Sequence, residues 1–383
     1  MVIKRLILIF LLFAPLSVAG GAQAHYEMSV LTCAPGSEVY SVFGHTGLRV
    51  RTMEGEELKG DVVYNFGLFD FDEPAFVLKF VRGDLDYYVG IQPTDRFVAS
   101  YFMEGRGVVE QPLNITAGQA SDIMEWLSWR VLPENAPYKY KFLARNCTTE
   151  VRDLVFEYTD LTGYDLYAPS GRTFRQYLDE CLAGAPWLRL GIDLVLGSRV
   201  DREMDACESM FLPHKYMLEL ESAGNGAVSL VKATEPIQGV AYEYPAQSTR
   251  WRSVYPSIVL VLLFVVCVFV RRRWVSVMGF VIAGLLGSVL TWAGLYSGHV
   301  EFGANFNLLW CNPIWLVLAF VSVMKWGKAV RVLSWTCDAL ITASAIVAIS
   351  GLQRFPVDFW VIWAILLVFA WRENRRLSGK LSR

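Results

Sequence analysis

A cysteine and a histidine about a hundred residues apart are the side chains of this sequence best suited to nucleophilic chemistry. Asn146 is a typical N-cap residue and an amphipathic pattern follows it, which predicts Cys147 in the first turn of a helix. Free N–H groups and the helix dipole at that position favour a thiolate over a thiol. A histidine within reach, such as the glycine-flanked His45, could take the thiol proton so that the thiolate attacks a carbonyl carbon.

The alternative interpretation of Cys147 is a small packing residue or half of a disulfide. A Cys/His pair at this separation also arises by chance in a chain with four histidines. A third polar group would orient the imidazole, and Tyr64 and Asn65 on the next predicted strand are the candidates. The sequence has no zinc-ligand cluster, no glycine-rich phosphate loop and no GxSxG motif, so we expect neither a metal nor a cofactor.

The N-terminal 24 residues have the pattern of a secretory signal peptide. Lys4 and Arg5 precede an apolar run, and Ala22-Gln23-Ala24 is a small-residue cleavage site, so the mature chain would begin at His25. Export allows disulfides to form. The exported part has four cysteines, and if Cys147 is free we favour a bridge between Cys181 and Cys207. The small net charge of −2 does not indicate a nucleic-acid partner.

Residues 25–233 have the pattern of an α+β domain. Short extended runs around His45 are followed by further strands and a helix, and then by the strand and helix that carry Cys147. Residues 234–250 have the composition of a linker. These segments lead to a nearly uniformly apolar C-terminal region, residues 251–383.

That C-terminal region contains five apolar stretches long enough to span a bilayer. They cover residues 254–270, 275–296, 308–324, 330–351 and 356–371. Lys and Arg are concentrated at alternate connections, which predicts that those connections are cytoplasmic and that the N-terminal domain lies outside. We therefore expect a multi-pass protein of the cytoplasmic membrane whose catalytic domain faces the periplasm.

One outer connection, GHVEFGANFNLLWCNP, is unusually polar and aromatic. Its His299, Asn305 and Asn307 are either ordinary loop residues or residues that face a lipid substrate at the membrane surface. Asn146 is a further candidate for substrate binding, because it lies next to the cysteine.

Several sequence blocks in order resemble the Lnb-type lipoprotein N-acyltransferases of Bacteroidota. The blocks are LTCAPGSEVYSVFGHTGLRV, VVYNFGLFDFDEPAFVLKFVRGDLDYYV, EQPLNIT, NAPYKYKFLARNCTTEVRDL and MFLPHKYM, and the C-terminal helices resemble that family's layout. The order of histidine and then cysteine is also similar to the permuted papain-like acyltransferases of the lecithin:retinol acyltransferase type. The resemblance implies a permuted papain-like domain followed by five transmembrane helices.

By this resemblance His45 is the base and Cys147 the nucleophile. The implied reaction moves a fatty acyl chain from a membrane phospholipid, through a cysteine thioester, to the α-amino group of a diacylglyceryl-cysteine lipoprotein. Two alternatives remain open at this point. One is a membrane-anchored papain-like cysteine peptidase or amidase acting on cell-wall peptides, and the other is a non-catalytic binding module. A wall hydrolase needs one anchor and not five helices, which favours the lipid chemistry.

Overall fold

A seven-stranded antiparallel sheet forms the centre of the N-terminal region, and helices make up the C-terminal region. The structure is a computed structural model that describes residues 24–70, 72–244 and 254–377. The predicted signal peptide lies outside this range except for Ala24, which together with His25 begins the first strand. Neighbouring strands pair antiparallel throughout the sheet and helices pack against its faces, which confirms the predicted α+β class.

The strands of the sheet follow the order β6-β4-β3-β2-β1-β5-β9. They are β1 (Ala24–Cys33), β2 (His45–Glu54), β3 (Glu57–Leu68), β4 (Asp86–Pro93), β5 (Val108–Pro112), β6 (Pro137–Lys139) and β9 (Glu235–Pro236). β2 and β3 are joined by two residues, of which Gly55 has a positive φ of 63°, as tight hairpins require. This turn fixes the register, with Leu48 opposite Tyr64.

Both faces of the sheet are covered because apolar side chains alternate along its strands. On one face Leu48, Tyr64 and Phe66 pack with α3 (Ala117–Arg130), α4 (Cys147–Glu157) and α8 (Pro213–Ser222). On the other face Leu31 and Val63 pack against Phe97 of α2 (Thr94–Met103). Two short elements, α1 (Phe76–Arg82) and β6, lie at one side of the sheet.

A second group of elements follows α4 and is organised around one buried arginine. It contains the ribbon of β7 (Pro169–Thr173) and β8 (Glu203–Asp205) and the helices α5 (Phe174–Cys181), α6 (Pro186–Val195) and α7 (Ala206–Ser209). Arg175 is 1% exposed and binds Asp193 and Asp201, each at 2.7 Å. A buried charge needs partners of opposite charge, and the two aspartates supply them. The resulting ion triad connects α5 with α6 and with the turn before β8.

The predicted bridge between Cys181 and Cys207 is wrong, since both thiols are free. Cys181 is buried, and its Sγ lies 3.1 Å from the hydroxyl of Tyr244. Residues 235–244, expected to be linker, pack on the N-terminal region instead. β9 pairs with β5, and the ring of Tyr244 stacks on His214 with centroids 3.7 Å apart. Residues 245–250 of the expected linker lie outside the described residues.

The C-terminal helices correspond one by one to the five apolar stretches. They are α9 (Tyr255–Phe269), α10 (Arg273–Tyr296), α11 (Asn307–Trp310) with α12 (Ile314–Val323), α13 (Gly327–Ser350) and α14 (Val357–Leu377). The third stretch is interrupted before α12, where Pro313 is the N-cap. Within the described residues, α10 and α13 are long and apolar enough to cross a membrane by themselves. Arg372 of α14 donates to the carbonyls of Cys267 and Val268, which satisfies the end of α9.

The two regions are held together by hydrogen bonds at two places. The amides of Asn305 and Asn307, in the connection between α10 and α12, bind the last carbonyls of α6. The residues that follow α10 bind the C-terminal carbonyls of α1. The N-terminal region is therefore docked on the helical region through α6 and α1.

Candidate active site

His45 begins β2, and its imidazole is oriented by the amide of Asn65. The two residues are diagonal neighbours on one face of the β2–β3 pair, where side chains meet. His45 Nε2 lies 2.7 Å from Asn65 Oδ1, which can only accept, so Nε2 carries the proton. The amide of Asn65 donates in turn to Gln92 Oε1 at 3.0 Å. These two hydrogen bonds leave Nδ1 of His45 as the nitrogen that can take a proton.

A packed wall on the α2 side keeps the imidazole in this position. The ring of Tyr101 stacks on His45 with an interplanar angle of 15°, and Phe97 lies beside it. The preceding Gly44 has a φ of 83°, and a Cβ there would lie 2.7 Å from the carbonyl oxygen of Cys33. Only glycine fits this close approach of the backbone, as the glycines around His45 predict.

Cys147 is the first residue of α4, and Asn146 is the N-cap, as its residue type predicts. Asn146 Oδ1 accepts from the backbone N–H groups of Thr148 and Thr149. The hydroxyls of Thr46 and Thr148 lie 3.1 Å apart, and both residues are fully buried. Since these threonines directly follow His45 and Cys147, their contact holds the start of the strand against the start of the helix.

Gly67 is the place where the reactive groups meet. Its φ is 87°, and a Cβ built on it would lie 3.4 Å from Cys147 Cβ, 3.8 Å from Tyr138 Oη and 3.9 Å from His45 Cε1. A single missing side chain thus leaves a space bordered by the thiol-bearing residue, the imidazole and a phenol hydroxyl. Any larger residue would occupy this space and would be strained at that φ.

The charges at this place favour a thiolate–imidazolium pair. Burial raises the pKa of the Cys147 thiol, but the charge of His45 and its hydrogen bond outweigh burial and lower the pKa to about 7. Burial lowers the pKa of His45, whereas the thiolate charge and hydrogen bonds to Cys147 and Asn65 raise it, and the net shift is upward. Burial raises the pKa of the other cysteines of the described N-terminal region, Cys33, Cys181 and Cys207.

The hydroxyl of Tyr138 is a buried group without a hydrogen-bond partner among the described residues. Tyr138 lies in β6 and is 4% exposed, and the guanidinium groups of Arg130 and Arg145 lie over its ring. Burial raises the pKa of Tyr138 well above its ordinary value, so the hydroxyl stays protonated and can donate. A buried donor without an acceptor is unfavourable unless another molecule supplies one.

Two of the predicted site residues lie next to the site but do not face it. Tyr64 points to the opposite face of the sheet from His45 because side chains alternate along β3, and its hydroxyl contacts Met124 Sδ. Asn146 uses both ends of its amide inside the protein: Oδ1 caps α4, and Nδ2 donates to the carbonyls of Phe142 and Phe211. Its amide is therefore structural and has no free donor for a substrate.

The polar residues of the outer connection also have structural contacts. Asn307 is fully buried, with Nδ2 on the carbonyls of Asp193 and Leu194 and Oδ1 accepting from Trp310. Asn305 binds the carbonyls of Leu194 and Val195. His299 donates from Nε2 to the carbonyl of Phe80. These hydrogen bonds join the two regions, which supports the ordinary structural interpretation of Asn305 and Asn307. Nδ1 of His299 has no hydrogen-bond partner among the described residues.

Sequence reasoning missed Gln92, Tyr138 and Gly67. Gln92 is a polar residue in a strand, but its relation to Asn65 depends on the pairing of β3 with β4. Tyr138 was part of an alternating aromatic run just before the cysteine, and that run gave no sign that one hydroxyl would lack a partner. Gly67 stands in YNFGLF, and a glycine inside a strand pattern is a signal of close approach that could have found it.

Fold and site together define a membrane protein whose α+β domain brings a cysteine, a histidine and an asparagine together where β2 and α4 begin. Two family models match the chain: the Lnb N-terminal periplasmic domain over residues 22–170 and the Lnb transmembrane domain over residues 247–373. These matches cover more than two thirds of the sequence. The chain belongs to the Lnb family.

Family membership indicates a function of the lipoprotein N-acyltransferase type and a protein that works with lipoproteins and membrane lipid. It also makes the chain a membrane protein with a periplasmic N-terminal domain. No curated protein and no solved structure matches the chain.

Proposed function

We propose that this protein transfers a fatty acyl chain from a membrane phospholipid to the α-amino group of a diacylglyceryl-cysteine lipoprotein, through a thioester on Cys147. The observation that carries the proposal is the arrangement of Cys147, His45 and Asn65 at the seam between β2 and α4, in a chain of this family. A thiolate with a pKa near 7 is a nucleophile at neutral pH, and an acyl thioester divides a difficult transfer into two easier steps.

The first step forms the thioester. The Cys147 thiolate attacks the ester carbonyl carbon, the C–O bond to the glycerol breaks, and the His45 imidazolium gives its proton to the leaving oxygen. A lysophospholipid leaves and His45 becomes neutral. Asn65, held by Gln92, keeps Nε2 protonated throughout, so that Nδ1 is the nitrogen that exchanges the proton.

The second step consumes the thioester. The neutral α-amine of the lipoprotein attacks the acyl carbon, His45 takes a proton from the nitrogen, and the C–S bond breaks to release the thiolate. The product is an amide, and the thiolate–imidazolium pair is restored. Atoms and charges therefore balance over the cycle with phospholipid and lipoprotein as the only reactants.

Both steps pass through a tetrahedral intermediate, whose oxyanion requires hydrogen-bond donors. The N–H of Cys147, at the start of α4, has no acceptor recorded among residues 24–70, 72–244 and 254–377. Tyr138 Oη is the buried hydroxyl without a partner near Gly67. We assign these two donors to the oxyanion, because pre-oriented donors in a water-poor site stabilise developing charge strongly.

The test is reconstitution of the full chain in liposomes that contain a phospholipid with isotope-labelled acyl chains and a diacylated lipoprotein. Mass spectrometry of the lipoprotein's N-terminal peptide should show one labelled acyl group in amide linkage, with lysophospholipid produced in equal amount. Labelled free fatty acid without the acylated peptide, or cleavage of a cell-wall peptide, would contradict the proposal and favour a hydrolase.

A further inference from the structure

α1 is an apolar helix, FVLKFVR, in which no residue is buried. Val77 is 71% exposed and Leu78 is 48% exposed. The helix also carries Lys79 and Arg82 in its last turn. An exposed helix with adjacent apolar residues and flanking cations is typical of a segment that lies in a membrane interface.

The position of α1 supports the same conclusion. Residues that directly follow α10 bind the C-terminal carbonyls of α1. Ser297 Oγ donates to the carbonyl oxygen of Val81 at 2.6 Å, and the N–H of Gly298 donates to that of Arg82 at 2.7 Å. α10 is one of the two described helices able to cross a membrane by length and composition. Its last residues, Leu295 and Tyr296, are 72% and 65% exposed. α1 thus lies beside the exposed apolar end of a helix that is long enough to span a membrane.

Aromatic side chains connect α1 with the strand that carries Tyr138. Phe80 of α1 packs on Tyr140 with ring centroids 6.2 Å apart, and Tyr140 stacks on Tyr87 at 4.3 Å. Tyr87 lies 6.4 Å from the ring of Tyr138, whose hydroxyl borders the space at Gly67. A cluster of packed aromatic side chains therefore connects α1 with the space beside Cys147.

We propose that α1 lies in the periplasmic leaflet of the bilayer, with Val77 and Leu78 in contact with phospholipid, and that the acyl donor reaches Cys147 along this side. The second part rests on the proposed function, whereas the first part does not. The bilayer is the occupant because the exposed apolar face adjoins the end of a membrane span. Lys79 and Arg82 pair with Glu73 and Asp84, so the apolar side chains carry the contact.

The experiment uses full-length protein in liposomes that contain a phospholipid with a photoreactive acyl chain. Cross-linked peptides are mapped in the Cys147→Ala variant, which cannot form the thioester, so the result is independent of acyl transfer. We expect cross-links in residues 76–82 and none at Met103, which is 84% exposed on α2 and serves as the control for exposure alone. Equal labelling at the two places, or none at residues 76–82, would overturn the bilayer contact.

The second arm combines Val77→Asp with Leu78→Asp in the otherwise native chain and uses Met103→Asp as the matched control. Charges in the interface should lower cross-linking at α1 and the rate of acyl transfer by about tenfold each, with alkylation of Cys147 unchanged. The control should alter neither quantity. A normal transfer rate in the double variant would contradict the donor route while leaving the proposed function intact.

Discussion

The sequence offers two polar clusters as candidate functional sites, and the structure separates them. At the start of α4, Cys147, His45 and Tyr138 converge beside Gly67, and the Tyr138 hydroxyl has no partner among the described residues. In the connection after α10, Asn305 and Asn307 use their amides on backbone carbonyls of α6. The two clusters differ in whether a buried polar group still lacks a hydrogen-bond partner. A buried group that has all its partners within the protein is structural.

The largest effect should come from the nucleophile. Cys147→Ser should lower the acyl-transfer rate by about 10⁴-fold or more, because removal of a nucleophile removes the whole catalytic unit that depends on it. The rate is measured by mass spectrometry of the lipoprotein peptide. Cys207→Ser is the control, a partly exposed cysteine of the same region that lies outside the site. A Cys147→Ser variant within tenfold of the native rate would refute the assignment.

Tyr138→Phe should have the second largest effect on the acyl-transfer rate. It removes the hydroxyl but keeps the ring under Arg130 and Arg145, and loss of one oxyanion donor costs about 10²–10³-fold in kcat. Tyr216→Phe is the matched control, since Tyr216 also has a buried hydroxyl with no partner among the described residues, but belongs to α8 and lies in the core.

Alkylation by iodoacetamide separates two explanations of a slow Tyr138→Phe variant, because this reaction forms no oxyanion. An oxyanion donor predicts native alkylation kinetics together with slow thioester formation. If alkylation slowed in parallel, the hydroxyl would act on the thiolate and the assignment would be incorrect.

The pH dependence of Cys147 alkylation should report its pair with His45. The native thiol, with its pKa lowered to about 7, should react with a half-point near pH 7 and reach its plateau above that value. His45→Asn removes the positive charge and leaves the effect of burial, so the half-point should move above the ordinary cysteine value of about 8.5. An unchanged half-point in His45→Asn would show that the two groups are not coupled.

The smallest effect on chemistry is expected in the outer connection. Asn307→Ala should lower the free energy of unfolding in detergent by about 1–3 kcal/mol, because two α6 carbonyls and Trp310 lose their partner. The transfer rate per folded molecule should remain near native. Asn114→Ala, at an exposed position with one recorded side-chain bond, should cost less. If Asn307→Ala lost most of its transfer rate at native stability, Asn307 would again be a candidate substrate contact.

Local patterns were sufficient for much of this structure. The cap at Asn146, the helix start at Cys147, the glycine before His45 and the five apolar stretches all depend on neighbours along the chain, where residue type is informative. The predictions from sequence failed where a side chain's contacts are with residues distant in the chain. The amides of Asn305 and Asn307 cap α6, more than a hundred residues earlier, and no local pattern contains that contact.

The same limit applies to the residue that orients His45 and to the cysteines. Tyr64 and Asn65 were equal candidates in sequence, and only the strand register decides which of the two faces His45. Cys181 and Cys207 are both free, and the Cys181 thiol contacts the hydroxyl of the distant Tyr244, which composition does not reveal. Pairing register and tertiary packing, and not propensity, thus determined what the sequence left open.

The most direct measurement of the central claim is the position of the acyl group during turnover. Full-length protein in liposomes with labelled phospholipid and no lipoprotein acceptor should accumulate the thioester, because the second step lacks its amine. Peptide mass spectrometry after acid quench should find one acyl mass, removable by neutral hydroxylamine, on the peptide that contains Cys147 and none on those with Cys33, Cys181 or Cys207. Addition of the diacylated lipoprotein should discharge it. An acyl group on another residue, or transfer to lipoprotein at the native rate without any adduct on Cys147, would contradict the account.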